Sequence, residues 1–135
     1  MASENVEVVR RVFDGFNNGD ADAVVELWAP AAEWRPAFIG GGLMEGAVYR
    51  GHAGVREFIE IQNETWETVV ADPATIRDLG EQALVEVHLS AVGRTSGIPV
   101  DRVTWNVFAI RDGKIAAGRV YTTKPEALEA VGLRE

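Results

Sequence analysis

The sequence contains no cysteine, few basic residues for its acidic ones and no long hydrophobic run, and each absence narrows the possible functions. Without cysteine, the chain cannot form disulfides, use a thiolate nucleophile or hold zinc or an iron–sulfur cluster through sulfur. Thirteen Lys and Arg against 21 Asp and Glu leave a net charge of −8, which disfavours contact with nucleic-acid phosphates. No apolar run approaches the roughly 20 residues of a membrane-spanning helix, and the polar, acidic N-terminus is unlike a signal peptide. We therefore expect a cytoplasmic protein that binds neither nucleic acid nor a membrane.

The remaining composition is that of one ordinary globular domain. The chain has 135 residues, of which 47% are hydrophobic and 25% charged, so we expect a single domain over residues 1–135. The two histidines, His52 and His88, are far apart and have no cluster of inward carboxylates beside them. We expect no metal and no cofactor.

The first half of the chain has the periodicity of helices. Val6, Val9, Phe13 and Phe16 form one apolar stripe, and the Asn17-Asn18-Gly19-Asp20 segment ends that helix. A short second helix is predicted to carry Val24, Leu27 and Trp28 and to stop at Pro30, followed by a brief strand over 32–36. A third helix is predicted from Gly51 to about Trp66.

The second half alternates with the period of strands. Apolar residues recur at every second position in segments 84–91, 100–110 and 115–122, and they do so more weakly in segment 68–78. Asp112-Gly113 joins the last two of the three as a tight hairpin turn, and Pro125 suits the start of a short closing helix. The order predicts an α+β fold in which helices pack on one face of a curved antiparallel sheet, a cone-shaped single domain with an internal pocket.

The alternation also assigns each strand residue to a face. The predicted inner set, under the helices, contains Val85, Val87, Leu89, Val103, Trp105, Val107, Ala116, Gly118 and Val120. The predicted outer set contains Glu86, His88, Arg102, Thr104, Asn106, Phe108, Arg119 and Tyr121, which would face water or another subunit. This assignment of alternate residues to the inner or the outer face is the parity of the strand. If the parity is inverted, the pocket residues become Glu86, His88, Asn106 and Tyr121, which are able to carry acid–base chemistry.

Six segments together resemble one family. They are Glu4-Asn5-Val6-Glu7-Val8-Val9-Arg10, Asn17-Asn18-Gly19-Asp20, Leu27-Trp28-Ala29-Pro30-Ala31-Ala32-Glu33-Trp34, Tyr49-Arg50-Gly51-His52-Ala53-Gly54-Val55-Arg56-Glu57-Phe58, Arg111-Asp112-Gly113-Lys114-Ile115 and Glu126-Ala127-Leu128. Their order and spacing resemble the SnoaL-like group of the nuclear transport factor 2-like superfamily, which includes small polyketide cyclases. The resemblance implies a cone with an apolar pocket, usually dimerised through the outer face of the sheet.

The same resemblance leaves the chemistry open, because this fold carries both enzymes and binding modules. Relatives resembling ketosteroid isomerase have a carboxylate base on the short strand after the second helix, where this sequence is expected to point Trp34 and Pro36 inward. Their second carboxylate would fall at Trp105, and SnoaL-type cyclases also use an acidic residue in the late strands. No inward carboxylate is predicted between Val103 and Val120.

Two residues remain as catalytic candidates. Asp101 shares the predicted parity of Trp105, so it would sit at the pocket rim, where burial would raise its pKa and suit it to proton transfer. The alternative is a solvated residue beside the turn at Gly97. His52 precedes the third helix and would either reach the pocket mouth or orient the start of that helix.

The ligand-binding candidates are mostly aromatic. They are Trp34, Tyr49, Trp66, Val87, Trp105 and Val120. With Trp28 and Phe38, the aromatic ones would either line a pocket for a flat apolar ligand or fill the core. The Gly-rich segment from Gly40 to Gly46 would then gate the pocket.

Two functions follow as hypotheses. The first is a homodimer whose pocket binds a small hydrophobic or polycyclic molecule and that catalyses its cyclisation, isomerisation or dehydration, with Asp101 or His52 moving the proton. The second is a dimeric binding or interaction module without catalysis. In both, the predicted dimer contact uses Glu86, His88, Arg102, Phe108, Arg119 and Tyr121.

Overall fold

The computed structural model describes residues 4–36 and 48–133. Its elements are α1 (Glu4–Asn17), α2 (Ala21–Glu26), β1 (Trp28–Arg35), β2 (Tyr49–Arg50), α3 (Gly51–Thr65), β3 (Trp66–Asp78), β4 (Gln82–Gly93), β5 (Pro99–Arg111), β6 (Lys114–Tyr121) and α4 (Lys124–Ala130). The predicted gate at Gly40 to Gly46 and the aromatic Phe38 lie outside the described residues.

The strands form one open, curved six-stranded sheet in the order β2-β1-β6-β5-β4-β3. All neighbours are antiparallel except β1 and β6, which run parallel. Helices α1, α2 and α3 pack on one face, and their apolar stripes form the main core with β1, β4, β5 and β6. The α+β cone expected from the sequence is confirmed.

The second helix is shorter than predicted. It ends at Glu26, and Trp28 begins β1 rather than extending the helix. Trp28 pairs with Ile115 of β6, a contact 87 positions away in the sequence that local periodicity cannot reveal.

A second, smaller apolar cluster lies on the opposite face of the sheet. Helix α4 crosses that face and buries Ala127 and Leu128 against Leu84 and Val107. Both faces of β4 and β5 are therefore partly apolar, because each is covered by helices over part of its length.

The tight turn between β5 and β6 has the predicted chemistry. Asp112 and Gly113 both have positive φ, 53° and 74°, as the two central residues of a type I′ hairpin turn require. The turn is followed by an irregularity: Ile110 pairs with Ile115, but Ala109 pairs with Ala117. This β-bulge adds one residue to β6 and shifts the register of everything beyond it.

Candidate functional site

A partly open apolar cavity of about 100 Å³ lies between the helical layer and the sheet. Helix α1 contributes Val12, Phe13 and Phe16 from its apolar stripe. Helix α3 contributes Val55, Phe58, Ile59 and Gln62, again at helical spacing. The remaining lining residues are Val24, Trp28, Trp34, Pro36, Ala71, Val87, Leu89, Thr104, Asn106, Phe108 and Val120.

Stacked aromatic side chains form the wall at β1, β6 and β5. Trp34 and Phe108 stack with ring centroids 6.0 Å apart and an interplanar angle of 13°, and Trp28 meets both rings edge-on. Trp34 and Phe108 pair with the same residue, Gly118, from opposite sides. A Cβ at Gly118 would lie 2.8 Å from Trp34 and 2.9 Å from Phe108, so the glycine is what lets the two rings meet.

The polar groups of the lining are few and uncharged. Gln62, Thr104 and Asn106 are each buried, and Gln62 Oε1 accepts a hydrogen bond of 2.9 Å from Trp66 Nε1. Asn106 Oδ1 and the indole nitrogens of Trp28 and Trp34 are buried without a hydrogen-bond partner in the described part of the chain. Because buried polar atoms are nearly always paired in native proteins, these three mark the part of the wall that a ligand could complete.

The lining residues that the structure describes include no Asp, Glu, His, Lys or Arg. Within residues 4–36 and 48–133, no group of three or more His, Cys, Asp or Glu is placed to hold a metal ion. Tyr49 lies outside the lining, and its pKa is raised by burial and by the nearby carboxylate of Glu57. Its ring packs edge-on against Phe58, behind the lining.

Three of the six predicted ligand-binding residues line the cavity: Trp34, Val87 and Val120. Tyr49 and Trp66 lie one layer behind it and hold lining residues in place, Tyr49 through Phe58 and Trp66 through Gln62.

Trp105 lies on the other face of the sheet, and the predicted parity of β5 is wrong. Thr104, Asn106 and Phe108 face the cavity, whereas Val107 packs under α4 with Trp105 beside it. The physical reason is the bulge after the Asp112-Gly113 turn. A regular two-residue hairpin would pair Trp105 with Val120, but the inserted residue pairs Trp105 with Tyr121 and Asn106 with Val120. The predicted parity of Val85, Val87 and Leu89 on β4 agrees with the structure.

The two catalytic candidates lie away from the cavity lining. Asp101 is exposed and accepts a hydrogen bond of 3.0 Å from the Ser90 hydroxyl, its cross-strand partner on the outer face. His52 Nε2 donates to the carbonyl oxygen of Trp28 at 2.7 Å, which ties the start of α3 to the start of β1. In the structure, His52 therefore orients the helix start, one of the two roles expected of it.

The structure places some residues of the predicted outer set on the outer face and others on the cavity side. Glu86 and His88 do lie on the outer face, where His88 Nε2 is 3.0 Å from Glu86 Oε2. Arg119 and Tyr121 share that face, and the Arg119 guanidinium lies 5.1 Å from the centre of the Tyr121 ring. Phe108, only 1% exposed, belongs to the cavity instead, and Arg102 pairs with Leu89 on the cavity side at the exposed end of β5. Both changes follow from the shifted parity of β5.

Sequence reasoning missed Asn106 and Thr104 as cavity residues. A signal for them existed in the alternative parity, which placed Asn106 in the pocket, but nothing local to β5 distinguishes the two parities.

In the part of the chain that the structure describes, no helix is long and apolar enough to span a membrane.

The comparisons with known proteins agree with this architecture. A candidate polyketide cyclase from Sinorhizobium meliloti is 28% identical, covering 85% of this chain and 94% of its own, with a TM-score of 0.68. A candidate SnoaL-like polyketide cyclase from Jannaschia sp. CCS1 is 18% identical over 98% of this chain and 94% of its own, with a TM-score of 0.74. TerC, co-crystallised with polyporic acid, is 20% identical over 94% and 97%, with a TM-score of 0.78. No curated protein matches the sequence.

The helices over a curved open sheet define the nuclear transport factor 2-like fold class, because an NTF2-like protein from Burkholderia pseudomallei K96243, 18% identical over 97% of this chain and 99% of its own, shares this fold with a TM-score of 0.76. Within that class, the model of the SnoaL-like domain matches residues 9–118. The chain therefore belongs to the SnoaL-like family.

Proposed function

We propose that this protein binds a small, uncharged and largely apolar molecule in the cavity between its helices and its sheet. The observation that carries the proposal is the lining itself, which is aromatic and aliphatic with three neutral polar residues and no charged side chain among the described ones. A charged ligand would lose its hydration there without gaining a partner of opposite charge. An apolar ligand gains from burial and from contact with the rings of Trp34 and Phe108.

The volume supports a compact ligand. At about 100 Å³ the cavity bounded by the described residues is smaller than the roughly 150 Å³ that accommodates benzene in an engineered cavity. A single six-membered ring would therefore occupy it with part of the ring in the opening. The proposed ligand is therefore hydrophobic, as the sequence led us to expect, but it is a single ring rather than a polycyclic molecule.

Filling the cavity tests the proposal. Val120→Phe adds a ring to the lining, so it should weaken binding of a small apolar probe such as toluene at least tenfold. Ile98→Phe also adds a ring, at a position 62% exposed just before β5, and should leave affinity unchanged. Tryptophan fluorescence measures both, because Trp28 and Trp34 line the cavity. Equal affinity in all three proteins would contradict binding at this site.

Catalysis of a cyclisation, isomerisation or dehydration is the second candidate. It is favoured by the similarity to the Sinorhizobium meliloti protein, a candidate polyketide cyclase at 28% identity. Such reactions need a group that moves a proton, and Asp101 and His52 are engaged with Ser90 and with the Trp28 carbonyl. We therefore favour binding without catalysis by these two residues.

Recovery of the bound compound separates the two candidates. Organic extraction of the purified protein identifies the retained molecule, which is then incubated with fresh protein and with an Asp101→Asn, His52→Gln double variant. Recovery of the compound unchanged supports binding alone. Conversion by the wild type would establish catalysis, and its loss in the double variant would assign it to Asp101 or His52.

We also propose that the protein is a homodimer that associates through the part of the outer face not covered by α4. Val70 and Val103 are 50% and 43% exposed there, beside the Glu86–His88 pair. Such apolar exposure on one sheet face is typical of an interaction surface. Cytoplasmic location stays a prediction alongside it.

Light scattering tests the dimer. Wild type at micromolar concentration should give twice the chain mass of 14.7 kDa. Val103→Lys should give the monomer mass, whereas Ile98→Lys, at a position 62% exposed just before β5, should leave the dimer intact. A wild-type monomer would reject the proposal.

A further inference from the structure

Asn106 occupies an unusual position in the cavity wall. It lies in the middle of β5, is 6% exposed, and its Oδ1 atom has no hydrogen-bond partner among the described residues. Its neighbours across the sheet on the same face are Val85 of β4 and Val120 of β6. Neither valine side chain can donate a hydrogen bond, so an acceptor is held in the wall with apolar groups on both sides.

The other lining residues limit which chemical group of a ligand can pair with Asn106 Oδ1. A carboxylate ligand has no donor for Asn106 Oδ1 and no cation to neutralise it in the described lining. A pure hydrocarbon leaves the acceptor unpaired. A hydroxyl group donates one hydrogen bond and remains uncharged, so it satisfies the acceptor without burying a charge.

We propose that the ligand is an uncharged, hydroxylated single-ring molecule, and that Asn106 Oδ1 accepts a hydrogen bond from its hydroxyl group. This inference rests on the proposed binding function and adds its ligand class and its specificity residue. The ring of the ligand lies against the aromatic wall of Trp34 and Phe108. Phe108 is on β5, two residues from Asn106. The indole nitrogens of Trp28 and Trp34, which have no hydrogen-bond partner among the described residues, can donate to an oxygen of the same molecule.

The experiment compares phenol with toluene, which have the same number of non-hydrogen atoms and differ in the hydroxyl group. Dissociation constants are measured by tryptophan fluorescence for wild type, for Asn106→Leu and for the matched control Asn18→Leu at an exposed position. Asn106→Leu should shift the preference roughly tenfold towards toluene, because the phenol hydroxyl then loses its partner. Asn18→Leu should not change the preference.

An unchanged ratio in a folded Asn106→Leu protein would overturn the role of Asn106 while leaving the binding function intact. Failure of both probes to bind wild type would overturn the binding function and this inference together. If Asn106→Leu does not fold, the side-chain amide signals of Asn106 in wild type provide the test by NMR. Phenol should shift them more than toluene, and equal shifts would contradict the inference.

Discussion

The side-chain amide of Asn17, the last residue of α1, makes two hydrogen bonds to the backbone of Ala71 on β3. Its Oδ1 accepts from the Ala71 nitrogen at 2.7 Å, and its Nδ2 donates to the Ala71 carbonyl at 2.9 Å. Strand β3 is one of the two edge strands of the described sheet, so the amide pairs these two groups as a further strand would. It thereby attaches α1 to the sheet beside the cavity, since Ala71 is part of the lining.

Replacing Asn17 by Ala should lower the free energy of unfolding by about 1–3 kcal/mol, because both backbone groups of the buried Ala71 lose their partner. Urea denaturation measures this, with Asn18→Ala as the exposed control expected to change stability by less than about 0.5 kcal/mol. Equal stability of the two variants would show that solvent replaces the Asn17 amide without cost.

Gly118→Ala should lower stability by about 1–3 kcal/mol, because the added methyl group enters the space where Trp34 and Phe108 meet. The near-ultraviolet circular dichroism of the tryptophans should change as well. Adding Phe108→Leu should make the combined loss smaller than the sum of the single losses, since the shorter side chain leaves room for the methyl group. Strict additivity would contradict the steric explanation.

Arg94 closes the end of α3, where the last carbonyl groups of a helix have no partner within it. Its guanidinium donates to the carbonyl oxygens of Asn63, Glu64 and Trp66. Arg94→Ala should lower stability by about 1 kcal/mol at this exposed position. Arg94→Lys should fall between wild type and Ala, because an ammonium group cannot reproduce the planar fork. Thermal unfolding of the three proteins tests this, and a lysine variant equal to Ala would mean that only the fork geometry matters.

Tyr49 makes stability depend on pH above neutrality. Burial and the Glu57 carboxylate raise the pKa of its phenol above the ordinary value of 10.0 in the folded protein. The unfolded chain therefore loses this proton first, so the contribution is complete below pH 10 and is lost as the pH rises through the folded pKa. Urea denaturation between pH 9 and 11 should show a smaller decline for Tyr49→Phe than for wild type. Identical declines would assign the effect to other groups.

Much of the fold was predictable from the sequence because its signals are local. The stripe ending at Phe16 predicted α1, the alternation and the Asp112-Gly113 turn predicted β5 and β6, and the resemblance to the SnoaL-like group is confirmed by the family match. Half of the ligand-binding candidates, Trp34, Val87 and Val120, line the cavity.

The predictions were wrong at positions where contacts between residues distant in the sequence decide the secondary structure or the face of a strand. Trp28 has helical spacing with Val24, yet it joins a strand because Ile115 pairs with it. Trp105 was assigned to the cavity because it alternates with Val103 and Val107 in one apolar set, and the pairing with Tyr121 that places it on the other face is not visible in that alternation.

The sequence by itself determined the order of helices and strands, their apolar faces and the family, because periodicity, turn residues and motif spacing are properties of neighbouring residues. Only the tertiary structure decided which face of β5 meets the cavity. Alternation gives two faces but not their orientation, and α4 makes both faces of this strand partly apolar. A single extra residue in β6 then brings Asn106 and Phe108 inside and turns Trp105 outward, because side chains alternate with a period of two.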